Sequence, residues 1–105
     1  MTTQWSIPTT QPEATVSGYQ QLTVDNTSGG VALTVPATAM AASGRLETAQ
    51  IRFTLDGTAP TTAVGTLLEV GETLALENRG ELTGFRAIRT GATSGVLSVE
   101  YSARS

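Results

Sequence analysis

From Tyr19 onward the chain alternates apolar and polar residues with a period of two, the spacing of strands with one buried face. No stretch sustains the 3.6-residue spacing of an amphipathic helix. Tyr19 to Val24 is rich in strand formers and runs into the turn cluster Asp25-Asn26-Thr27-Ser28-Gly29-Gly30. Val31, Leu33 and Val35 share one face of a second strand, which stops at Pro36 because proline has no N–H for a ladder. The small residues from Ala37 to Gly44 leave a short helical turn or a loop open. The clearest strand spans Leu46 to Asp56, with Ala49, Ile51, Phe53 and Leu55 on one side and Gln50, Arg52, Thr54 and Asp56 on the other. Asp56-Gly57 supplies turn chemistry after it, and Pro60 blocks its continuation.

Four more strands follow. Leu67, Leu68 and Val70 precede a Gly71-Glu72 turn, and Thr73 to Glu77 points Leu74 and Leu76 inward before a turn at Asn78-Arg79-Gly80. Leu82 to Arg89 sets Phe85, Ala87 and Arg89 on one face and Arg86 and Ile88 on the other. Gly91 to Gly95 turns the chain, and Val96 to Tyr101 closes it with Leu97, Val99 and Tyr101 inward. About seven short strands separated by regular turn signals predict an all-β fold, a single antiparallel β-sandwich with a small barrel as the alternative.

Residues 1–18 break this pattern. They hold Pro8 and Pro12, are rich in Thr, and have Trp5 and Ile7 as their largest apolar groups beyond Met1. They are expected to form an extended N-terminal arm, leaving residues 19–105 as the sandwich domain. A chain of 105 residues accommodates one such domain and buries enough surface to hold a core without staples.

Composition narrows the chemistry. The chain has no Cys and no His, and its six basic residues are all Arg. Disulfides, thiol nucleophiles, Schiff-base lysines and the commonest general base and metal ligand are therefore all absent. A net charge of −3 with scattered Arg argues against a nucleic-acid partner, and no apolar run approaches a membrane span. Low charge and a Thr-rich surface suit a protein packed against others.

The remaining acid–base candidates are the pairs Glu69/Glu72 and Glu77/Glu81, which flank turns instead of facing each other across a cleft lined with aromatic platforms. Asp25, Asn26 and Asp56 offer oxygens, but no loop supplies the compact set that calcium requires, and turn formation accounts for them better. Asn26-Thr27-Ser28 is formally a glycosylation sequon, and Gly29-Gly30 and the Gly91–Gly95 loop match no phosphate-binding motif. No catalytic, cofactor-binding or metal-ligating residue is assigned, and the chain is expected not to be an enzyme.

Residues suited to contact with another chain are clearer. Trp5, with Ile7 beside it in the arm, either folds back on the sandwich or inserts into a neighbour, where buried Trp is a common hot spot. Arg52 lies on the wet face of the longest strand. Arg86 and Arg89 lie on opposite faces of one strand, so one of them should point inward or into an interface. These five residues are the candidate partner or oligomer interface.

The stretch Ile51-Arg52-Phe53-Thr54-Leu55-Asp56-Gly57-Thr58-Ala59-Pro60-Thr61, followed by Val64-Gly65, Leu67-Leu68 and Phe85-Arg86-Ala87-Ile88-Arg89, resembles small all-β structural proteins of tailed bacteriophages. The resemblance covers Ala49 to Tyr101 and leaves out the arm. It implies a virion component assembled in the bacterial host cytoplasm, and above all a capsid decoration (cement) protein. Such a protein would grip the major capsid protein by distributed contacts, without a cofactor, as a homo-oligomer with a trimer favoured. A neck, tail or fibre component is the alternative, and a carbohydrate- or receptor-binding module a more distant one that would want more surface aromatics.

Overall fold

The computed structural model describes residues 15–103. Seven strands and one short helix follow in the order β1 (Thr15–Val24), β2 (Ala41–Glu47), β3 (Ile51–Thr54), β4 (Thr66–Leu68), β5 (Thr73–Leu76), α1 (Arg79–Gly84), β6 (Arg86–Arg89) and β7 (Gly95–Ala103). They form two antiparallel sheets, one of four strands ordered β1-β7-β2-β5 and one of three ordered β4-β3-β6. The protein is thus an all-β sandwich, and two separate sheets replace the barrel alternative.

Alternation sets the core. Leu22 and Val24 of β1, Leu46 of β2, and Leu97, Val99 and Tyr101 of β7 are buried on the inner face of the larger sheet. Ile51, Phe53, Leu68 and Ala87 answer from the smaller one. Phe85 is fully buried, and its ring stacks on Phe53 with centroids 5.9 Å apart. Every buried residue of this core is apolar apart from the hydroxyl of Tyr101, which donates to Gln20 Oε1 at 2.6 Å.

Four features differ from the sequence expectation. The strand expected over Leu46 to Asp56 is two strands in different sheets. Buried positions in β2 are even-numbered (Ala42, Gly44, Leu46), whereas those in β3 are odd-numbered (Ile51, Phe53), so one continuous strand could not bury both sets. The phase slips at residues 48–50, where Thr48 adopts φ 75°, an uncommon conformation for a β-branched residue. Its hydroxyl donates to Ser94 O at 2.9 Å, tying the corner to the loop before β7.

The second expected strand, Val31 to Val35, makes only one bridge. Val31 exchanges both backbone hydrogen bonds with Ala87, at 2.7 and 3.0 Å. The chain then crosses the gap between the two sheets, where no strand runs alongside it, and Leu33 and Val35 pack on the core from there. The region left open, Ala37 to Gly44, contributes the start of β2.

The expected turn at 78–80 and the first part of the strand expected from Leu82 are replaced by α1. The Asn78 side chain accepts from Glu81 N at 2.9 Å, capping the helix start, and Glu81 Oε1 accepts from Glu77 N at 2.7 Å, the N–H one residue before the cap. Leu82 is buried from the helix, and only Arg86–Arg89 is strand.

Lastly, β1 begins at Thr15, inside the stretch assigned to the arm. Thr15, Val16 and Gly18 pair with Ala103, Ser102 and Tyr101 of β7, with a bulge between Val16 and Gly18. The rest of the expected arm lies outside the described residues.

Candidate functional site

Trp5 and Ile7 also lie outside the described residues. The three arginines are separated by strand geometry. On the smaller sheet, Arg52 stands opposite Leu67 and Ile88, and Arg86 opposite Thr54, so Arg52 and Arg86 share the outer face. Arg89 stands opposite buried Ile51 and is half-buried at the margin of the core, the inward member of the Arg86/Arg89 pair.

Arg52 has a specific task. Its Nε donates to Thr62 O at 3.0 Å and its Nη1 to Gly65 O at 2.9 Å, so the guanidinium fastens the 57–65 loop across the outer face. Arg79, which sequence reasoning passed over, does the same elsewhere. Its Nη1 donates to both Pro36 O and Ala39 O at 2.8 Å, anchoring the crossing segment before β2. A partial signal for it existed: Asn78 followed three residues later by Glu81 has capping spacing, which makes Arg79 the first helical residue, although its contacts are not readable from that spacing.

The acidic residues serve the backbone around them. Glu72 Oε1 accepts from Glu69 N at 2.8 Å, and the Glu69 carboxylate receives Gln50 Nε2 at 2.9 and 3.0 Å. Asp25 Oδ1 accepts from both the hydroxyl and the backbone N–H of Thr27, the latter at 2.9 Å; these bonds hold its carboxyl below the usual value. Asp56 is lowered in the same way by Thr58, whose N–H donates to it at 3.0 Å. Burial of Tyr101 pushes its phenol upward. Among the described residues no three carboxylates gather where they could hold a metal ion.

Two shallow depressions mark the surface. One, of about 440 Å³, lies between the 54–58 segment and the start of β4, with Phe53 as floor and Asp56, Thr58 and Thr66 on its walls. The other, of about 270 Å³, lies on the outer face of the larger sheet between Tyr19, Arg45 and Glu100. Both open widely to solvent, and the acid in the first is already engaged by its own turn. Hydroxyls, carbonyls and flat apolar surface are what these regions offer, which is material for contact over an area.

The large apolar side chains left exposed are Tyr19 on the larger sheet, Met40 at its end, and Val64, Leu67 and Val70 around β4. Three of the five thus cluster within seven residues of chain beside Arg52. Among the described residues no helix is long and apolar enough to cross a membrane. Compared with family models, with curated proteins and with solved structures, the chain matches none.

Proposed function

We propose that the protein is a non-enzymatic structural component of a phage virion, a capsid decoration protein that binds the major capsid shell through distributed contacts. The observation that carries this reading is the placement of the exposed apolar groups. Tyr19 and Met40 lie on the larger sheet and at its end, and Val64, Leu67 and Val70 lie around β4, so the exposed apolar groups occupy several parts of the sandwich and do not line one enclosed pocket. Spread contacts of this kind suit adhesion to a large surface, and the resemblance of residues 49–101 to virion proteins supplies the class of partner.

Shells assembled without the protein test it. Added chain should load onto them and raise their resistance to heat. If it ignores shells but binds purified necks, tails or fibres, the decoration role is replaced by one of those; binding to no virion part overturns the reading altogether. Removing residues 1–14, which spares β1, should weaken attachment while the domain stays folded. Trp5→Ala should reduce binding by about 2 kcal/mol if the N-terminal segment is an anchor.

A further inference from the structure

The two sheets have four outer strands, and three of these edges are occupied or guarded. β6 receives Val31 along its edge, and its Arg89 N–H donates to Asp25 O at 3.0 Å. β1 carries the bulge between Val16 and Gly18, and the Thr34 N–H reaches Gln20 Oε1 at 3.1 Å beside it; bulges and side-chain cover both hinder the addition of a further strand. β5 is bracketed by Glu72 and Glu77. Antiparallel pairing of β5 with itself would set Glu72 opposite Glu77 of the second copy, twice, so like charges oppose it.

β4 has none of these devices. Among the described residues no backbone hydrogen bond crosses its outer edge, and residues 57–68 include no charged side chain. The segment is flanked by Val64, 48% exposed, and Val70, 53% exposed, with Leu67 itself 37% exposed. Its one protection is its length of three residues, and native proteins rarely leave a neutral, apolar edge otherwise uncovered.

We infer that β4 is a docking edge for a second copy of this chain, paired antiparallel about a two-fold axis at Leu67. This register sets Thr66 opposite Leu68 and Gly65 opposite Glu69 of the second copy. Opposed residues share a sheet face: Thr66 and Leu68 lie on the inner face, whereas Gly65, Leu67 and Glu69 lie on the outer face, the one bearing Arg52. Arg52 is bound to Gly65 O, so its guanidinium waits beside the position Glu69 of the other copy would enter. Within its own chain the Glu69 carboxylate accepts from Gln50 Nε2, a neutral donor, and Arg52 of the other copy would bring the opposite charge to it. Symmetry repeats the Arg52–Glu69 match, so charges that repel at β5 attract at β4. The same register carries exposed Val64 of one copy toward Val70 of the other. A three-residue ladder is a small contact, so pairing in free solution is weak and concentration-dependent. A two-fold pair departs from the trimer that the resemblance implied, and it would cover Val64, Leu67 and Val70, three of the exposed apolar residues on which the proposed shell contact also draws.

Sedimentation of the isolated chain from about 10 µM to about 1 mM, a span matched to weak contacts, tests the pairing. The weight-average mass should rise from 10.8 kDa toward twice that value. Leu67→Lys and Leu67→Glu each place like charges on the two-fold axis and should weaken pairing at least about tenfold. Mixing these two variants should restore it, because opposite charges then meet, and this recovery also shows that both fold. Glu69→Arg should weaken pairing about fivefold at low salt and less at high salt. A monomer at all concentrations, a trimer, or Leu67 variants that pair as the parent does would each overturn the inference. Shell loading is a separate measurement, so pairing without loading, or loading without pairing, distinguishes the failure of one reading from that of the other.

Discussion

Along the side of the sandwich where β1 and β6 meet, the segment from Asp25 to Pro36 crosses between the sheets. Along the side where β4 and β5 meet, only the short turn Glu69–Glu72 joins them. The first side is closed by specific contacts: Val31 pairs with Ala87, Thr34 reaches Gln20, Leu33 and Val35 lie on the core, and Arg79 clasps the carbonyls at Pro36 and Ala39. The second is tight at its turn, where Leu46 N donates to Glu72 O and Gly71 N to Leu46 O, yet among the described residues no backbone hydrogen bond crosses its outer strand edges. One chain therefore treats the same structural problem, the unpaired strand edge, in two ways. Where an edge is covered, the covering residues become part of the folding energy. Where it is left bare, the adjoining residues are free to serve association.

Substitutions at two glycines should separate the sides most strongly. Gly30 has φ +87°, and a Cβ there would come within 2.8 Å of Pro60 and 2.9 Å of Arg86. Gly30→Ala should cost about 3 kcal/mol, combining left-handed strain with the clash. Gly71 has nearly the same φ, +89°, but its Cβ would meet nothing within 4 Å. Gly71→Ala should therefore cost only about 1 kcal/mol, from backbone strain alone. Equal shifts in denaturant midpoint would erase the distinction between the closed and open sides.

Next in size is Arg79→Ala, which leaves two carbonyls of the crossing segment without their donor and should cost about 1.5 kcal/mol in urea unfolding. Exchange of the Ala39 and Met40 amides should quicken with it, while β4 amides stay unchanged.

Acid provides a subtler contrast. The carboxyls of Asp25 and Asp56 sit below their ordinary value of 3.8 because Thr27 and Thr58 donate to them. A lowered folded-state value means that their contribution is complete above about pH 4 and is lost as pH falls through the folded values. Asp25→Asn should flatten the acid limb of the stability curve, measured by urea unfolding at a series of pH values, and Asp56→Asn should do likewise. An acid limb as steep in both variants as in the parent would place the sensitivity elsewhere.

The smallest effect on the fold is expected at the open edge itself. Leu67→Lys should change monomer stability by less than about 0.5 kcal/mol, since the side chain is exposed and binds nothing buried. A large loss there would mean that β4 is integrated into the core as firmly as β6.

Much of this architecture was legible along the chain. The inward residues of β7, the pair Ile51 and Phe53, the turns at Asp25, Asp56 and Gly71, and the inward Leu76 all follow from period-two spacing and turn chemistry. Even the corner between β2 and β3 had a trace, because Leu46 is out of phase with Ile51. It was obscured by Ala49, which extends the alternation backward although it is only half-buried. The helix start was present as Asn78 and Glu81, but the glycine between them favoured a turn. Of the candidate residues, Arg52 stands on the outer face, in phase with the alternation of its strand, while its binding of loop carbonyls has no signal in the sequence.

What the sequence by itself determined is local: which residues can lie on one face of a strand, where the chain must turn, and which chemistries lack their side chains. What only the tertiary structure decided is which strands become neighbours and which edges stay bare. Val31 to Val35 alternates as well as any strand here, yet only Val31 is bridged, because the ladder partner it would need lies elsewhere in the fold. Periodicity acts within a few residues, whereas strand pairing joins residues as distant as Gln20 and Val99. Pairing of that kind is selected by the joint burial of two sheets, and no single segment carries it.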